Sequence, residues 1–283
     1  MSGYLAPVVS GSFHRAALLA VFLLFAALVL FAAAPAFGYP GGTPDFQTDV
    51  IPYCAACHSS SAESDLAGAP GDRAVKELAA NKHYALITSG AKAYAELTPD
   101  QRGKLVELLK AVDANSTIEI EFPPQVAPGE TFQITVRVTG GAGPVVGVGL
   151  VDRAHRWYAR AASSAGWQVV GAPTVIGPKG SPQTGWLAKR PERLGRGITF
   201  VNITDWKSSA ETGSWAKAKV VYTLKAPDKP GDYPLVGAFW FGTEKAVALS
   251  TKANPMYGDQ PLGGYTGKSG RVKFSQEHVI SVK

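Results

Sequence analysis

Cys54 and Cys57 are the two cysteines of this 283-residue chain. They stand three positions apart in the stretch PYCAACH (52–58), and His58 follows the second directly. Two thiols at this spacing can serve three chemistries. A redox-active dithiol needs the two sulfurs and usually a thioredoxin-like βαβ setting. A zinc site needs four ligands, and structural zinc usually draws on two such pairs. Covalent haem attachment takes both sulfurs as thioethers and brings the adjacent imidazole to the iron. The third chemistry employs all three residues, and the small Ala55 and Ala56 let the backbone lie close to a flat macrocycle. The motif also uses the whole cysteine supply of the chain. The leading expectation is therefore one covalent haem c, with Cys54 and Cys57 as attachment points and His58 as iron ligand. A dithiol or disulfide, and a zinc site, are the weaker readings.

The amino-terminal end agrees with this expectation. His14 and Arg15 precede an unbroken apolar run over residues 16–34, and the small residues of APAFG follow up to Gly38. Positive, then apolar, then small is the layout of a secretory signal. Covalent haem in bacteria is attached after export, so such a signal is what the motif requires. The run is long for a signal core and long enough to span a bilayer. Residues 1–38 are expected to be a signal peptide or an N-terminal membrane anchor, with the chain periplasmic, extracellular or on the cell surface.

The elements that must position the motif are read from periodicity. After His58 the polar SSSAESDLAGAPG reads as a loop. Asp72 is the expected N-cap of a helix through RAVKELAANKHYALITS, with Val75, Leu78, Ala79, Lys82, His83 and Leu86 at helical spacing and Gly90 as its stop. Thr98, Pro99 and Gln101 predict a capping box at the start of a second helix, whose stripe is Leu105, Leu108, Leu109 and Val112. Two such helices bury little against each other, and a haem between them and the motif would supply the missing apolar surface.

Residues 51–113 resemble a class of small cytochromes c, with C-x-x-C-H near the start and a last helix opening LTPDQ and running through LVELLKAV. The resemblance covers about a quarter of the chain. It implies thioethers at Cys54 and Cys57, His58 as proximal ligand, and electron transfer as the activity. It also implies a methionine before the last helix, yet no Met lies between residues 2 and 255. The sixth ligand is expected to be His83, on the apolar stripe. Met256, the α-amino group of Tyr39 (cleavage after Gly38 would expose Tyr-Pro, as at the start of cytochrome f) and an open iron are the alternatives.

After Asn115 the period changes from 3.6 to 2. TIEIEF alternates, and Phe132, Ile134, Val136 and Val138 share one face of the next segment. VVGVGLV, GWQVV, ITFVN, AKAKVVYTL, GDYPLVGAFWFG and HVISV follow between Gly, Pro and polar turns, as in an antiparallel sandwich. All six tryptophans lie in this half, and Trp240 is expected in its core. The pattern resembles immunoglobulin-like and Reeler-like extracellular domains, some of which carry C-x-x-C-H just ahead of the sandwich. The resemblance implies a fold and no activity. A blue-copper site needs a cysteine, and this half has none.

The expected fold class is thus α+β and multidomain: a leader (1–38), a helical haem domain (39–115) and an immunoglobulin-like β-sandwich (116–283). Charge divides at the same place. Residues 39–115 carry 7 Lys+Arg against 10 Asp+Glu, a net of −3, and residues 116–283 carry 20 against 12, a net of +8. The basic excess centres on RAHRWYAR (153–160) and KRPERLGR (189–196), read as a solvated face or a docking surface for an acidic partner or anionic lipid. No reading motif for nucleic acid is present. No catalytic constellation stands out around the motif, so an electron carrier with protein redox partners is expected rather than an enzyme. The rival reading is a surface-binding sandwich whose haem is a sensor or accessory group.

Overall fold

The motif segment is itself the first helix, α1 (Ile51–His58), and it runs directly into a two-residue strand, β1 (Ser59–Ser60). The computed structural model describes residues 51–77, 79–185, 198–243, 250–254, 258–262 and 270–283. The leader, Tyr39, Leu78, Trp186, the 189–196 segment and Met256 lie outside these residues. Among the described residues no helix is long and apolar enough to cross a membrane.

The helix expected after Asp72 is described on either side of Leu78, as α2 (Gly71–Glu77) and α3 (Ala79–Ser89). Asp72 sits within the first turn rather than at the N-cap. Val75, expected on the apolar stripe, is 71% exposed, and the side chain α2 buries is Glu77. The expected stop at Gly90 is present: its φ is +69°, and its N–H and that of Ala91 donate to the carbonyls of Ile87 and Leu86. That pair of bonds is a Schellman closure, which favours glycine at the left-handed position. Helix α4 (Pro99–Ala114) opens with the expected capping box. The Gln101 N–H donates to the Thr98 hydroxyl at 3.3 Å, and the Thr98 N–H donates to the Gln101 side chain at 2.9 Å.

Two sheets follow. One contains β2 (Thr117–Glu121), β4 (Thr131–Thr139), β6 (Gln168–Val169), β7 (Thr174–Ile176) and β9 (Lys217–Lys225). The other contains β1, β3 (Gln125–Val126), β5 (Ala142–Val151), β8 (Phe200–Ile203), β10 (Gly231–Gly242), β13 (Gly270–Phe274) and β14 (His278–Val282). A separate hairpin pairs β11 (Ser250–Asn254) with β12 (Gly258–Leu262). Strand β4 alternates as its sequence predicts, with Phe132, Ile134, Val136 and Val138 inward and Gln133 and Arg137 outward. These meet Val146, Val148, Leu150 and Phe239 of the other sheet in one core, a sandwich-like α+β arrangement.

Leu105, Leu109 and Val112 of α4 belong to that same core, with Ile118 and Val126. The sheets therefore cover the helical stripe that sequence reasoning had set aside for a bound group. Strand β10 explains the unbroken apolar run LVGAFWFG. Leu235, Phe239 and Phe241 face the sandwich core, while Val236, Ala238 and Trp240 join a second cluster with Val151, Phe200 and Val272. That second cluster is completed by Ile51 and Ala55 of α1. The C-x-x-C-H helix is the cover on the outer face of the seven-stranded sheet. Trp240 is buried as expected, as are Trp167 and Trp206, whereas Trp157 is 38% exposed.

Candidate functional site

Helix α1 has two faces set by its 3.6-residue period. Ile51, Pro52, Ala55 and Ala56 are buried, and Tyr53, Cys54 and His58 are exposed. Cys54 is a free thiol, and Cys57 follows one turn later in the same helix at i+3, with His58 at i+4. Residues at these offsets are neighbours on one helical surface. The local fold thus offers the Cys54 thiol and the His58 imidazole outward, with the small Ala55 and Ala56 inward. Cys54 and His58 on an exposed helical face, with Cys57 one turn from Cys54 in sequence, are the donor types and spacing that a covalent haem would take. This donor set fits the group.

Strand β1 ties the motif to the sandwich immediately after His58. Ser59 and Ser60 pair in parallel with Gly270 and Arg271 of β13. A Cβ at Gly270 would lie 2.6 Å from the His58 carbonyl oxygen, so the close approach of strand and helix end requires glycine there.

Beneath α1 lies a buried polar network that sequence reasoning missed. Arg156 is 2% exposed. It donates to the carbonyl oxygens of Ala56, Ser59 (2.9 Å) and Lys76 (2.8 Å). Glu77 is 1% exposed; its Oε1 lies 2.9 Å from His155 Nδ1, and its Oε2 accepts from the Ser61 hydroxyl at 3.0 Å. A second buried group stands beside it. Asp113 accepts from Arg271 Nε at 3.1 Å and from the Tyr84 hydroxyl at 2.5 Å, while Arg271 also reaches the Ser60 hydroxyl. The RAHRWYAR segment, read as one basic surface, is divided between an exposed Arg153 and a buried His155–Arg156 pair. The missed signal was the aromatic content of that segment: the Arg156 guanidinium stacks 4.3 Å from the Trp157 ring centroid and that of Arg160 4.3 Å from Tyr53.

His83 is buried in the helical region, with its Nε2 3.1 Å from the Tyr94 hydroxyl. An iron bound at that nitrogen would displace Tyr94. Among the described residues no three His, Cys, Asp or Glu side chains converge as on a metal ion. A monohaem site calls for no such cluster.

Burial pushes the Glu77 carboxyl above its ordinary 4.5, against the opposing pull of Arg156 and the Ser61 hydroxyl. Burial also lowers the His155 imidazole below its ordinary 6.5, helped by Arg73, Lys76 and Arg156. The two shifts have opposite consequences for stability. Glu77 binds its proton better in the folded chain, so its contribution is complete below 4.5 and is lost as pH rises through the raised value. His155 contributes above 6.5 and loses that contribution as pH falls through its lowered value. Glu77→Gln cannot titrate but leaves His155 in place. The stability of wild type relative to this variant should therefore increase from about pH 7 to about pH 5. Urea midpoints of both chains at the two pH values measure this. A difference that does not change with pH would mean that Glu77 is not the titrating group.

No protein-family model matches this sequence, and no curated protein matches it.

Proposed function

We propose that this chain is an exported monohaem c-type cytochrome that carries electrons between protein partners. The observation that supports the reading is the exposure of Cys54 and His58, at i and i+4 with Cys57 at i+3 between them, on a helix anchored through its other face. Bound haem would supply one-electron chemistry at iron. The chain's own residues do the rest. Cys54 and Cys57 would hold the macrocycle through thioethers, and His58 would give its imidazole to the iron. Ile51 and Ala55 lock the helix onto β10 and β13, so that these donors stand on a rigid support. A fixed ligand set keeps reorganisation between oxidation states small.

His83 is the proposed sixth ligand, and in that role it leaves the Tyr94 hydroxyl for the iron. Neutral imidazole is a good iron ligand, and the iron would replace the Tyr94 hydroxyl as partner of the buried ring. The test is the visible spectrum of the reduced protein with and without carbon monoxide, in wild type, His83→Ala and His83→Met. Wild type should be unaffected by carbon monoxide, whereas His83→Ala should bind it and shift its Soret band. His83→Met should stay six-coordinate at a higher potential, because a thioether favours ferrous iron. Identical spectra and potentials in all three would assign His83 to the helical core and direct attention to Met256 and the Tyr39 amine. A wild-type chain that binds carbon monoxide would instead favour the sensor reading.

A further inference from the structure

The last four carbonyls of a helix have no partner within it, and something must satisfy them where the end is buried. At the end of α1 the Ser59 hydroxyl donates to the Ala55 carbonyl at 2.5 Å. The Ala56 carbonyl is taken by Arg156, a residue 100 positions later in the chain. The same guanidinium bonds the Ser59 carbonyl, where β1 begins, and the Lys76 carbonyl of α2. A planar fork with five fixed donors suits three carbonyls from three elements, and an ammonium does not. Its positive charge also lies at the carboxyl end of α1, where the helix dipole favours a cation. Glu77, with Oε2 3.8 Å from Arg156 Nε, and the Trp157 ring hold the guanidinium in place.

We infer that Arg156 is the positioning residue of the C-x-x-C-H helix: through it the sandwich fixes the direction in which Cys54 and His58 face the group they bind. The orientation of the iron ligand is thereby set from the β half of the chain. The inference rests on the haem function proposed above for its spectroscopic consequence, but not for its mechanical one.

The experiment compares the full chain as wild type, Arg156→Lys and Arg156→Gln. Amide hydrogen exchange over residues 51–60 should be at least tenfold faster in both variants, with exchange in β4 and β9 unchanged. The ferric electron paramagnetic resonance spectrum should pass from one species in wild type to a mixture in both variants, because a loosened helix presents His58 in more than one orientation. Arg156→Lys keeps the charge and most of the length, so it decides the matter should Arg156→Gln fail to fold. Exchange over 51–60 in Arg156→Lys equal to wild type, or a single unchanged ferric signal, would overturn the positioning role. A wild-type chain that takes up no haem fails the function proposed above and is recognised separately, since the exchange comparison needs no haem.

Discussion

The full chain carrying Cys54→Ser together with Cys57→Ser should lose all covalent haem when exported by a strain with haem-maturation machinery. Wild type should keep its haem through boiling and denaturing electrophoresis, and the double variant should show no haem stain at all. The reason is chemical rather than conformational. A thioether survives denaturation, whereas an iron–imidazole bond depends on the folded site. Cys54 is exposed, and serine matches cysteine closely in size, so the buried face made by Ile51, Pro52, Ala55 and Ala56 should be kept. Circular dichroism should therefore show the variant folded, which separates loss of attachment from loss of structure. His58→Ala should retain thioether-bound haem but lose the normal low-spin spectrum. A stain of undiminished strength in the double variant would refute the motif reading, and a disulfide or a zinc site would then be the chemistry to pursue.

The second large effect is on stability. Asp113→Ala removes the carboxylate paired with Arg271, at side-chain exposures of 5% and 1%. Breaking a buried ion pair from one side strands the other charge and costs about 3–5 kcal/mol. In a chain of this size each kcal/mol is worth roughly 2–4 °C, so the melting temperature should fall by about 10 °C. Arg271 also stacks 4.9 Å from the Tyr84 ring and holds Ser60, so the helices and the sheet lose support together. Far-ultraviolet circular dichroism and tryptophan fluorescence should report one coincident transition in wild type and variant alike, because α4 and both sheets share one core. Two separated transitions would show the helical region folding independently. A melting temperature equal to that of wild type would show the pair to be dispensable.

What could be read from the sequence is what short-range rules control. The Thr98–Gln101 capping box, the glycine stop at Gly90 and the inward alternation of Phe132, Ile134, Val136 and Val138 each depend on residues a few positions apart. The same is true of the donor spacing in α1. Val75 was misassigned because periodicity ranks faces by apolar content, whereas α2 turns Glu77 inward to Ser61 and His155 and leaves Val75 71% exposed. Arg156 and Arg271 were illegible for a different reason. A lone arginine reads as surface until its partners are known, and theirs lie about 80–211 positions away. The apolar stripe of α4 was visible, but its partner was not: periodicity says that a face is covered and not by what.

The parallel pairing of Ser59 and Ser60 with Gly270 and Arg271 joins the beginning of the described chain to nearly its end. The motif precedes the strand that fastens it by about 210 positions. Contacts of such long sequence separation close late. The Val236, Ala238 and Trp240 face that receives Ile51 and Ala55 is likewise made long after them. For the function proposed here, this order leaves an interval in which Cys54 and Cys57 sit on unfastened backbone, open to whatever catalyses thioether formation. Completion of the sheet would then close that interval, so that the last strands would time the modification of α1.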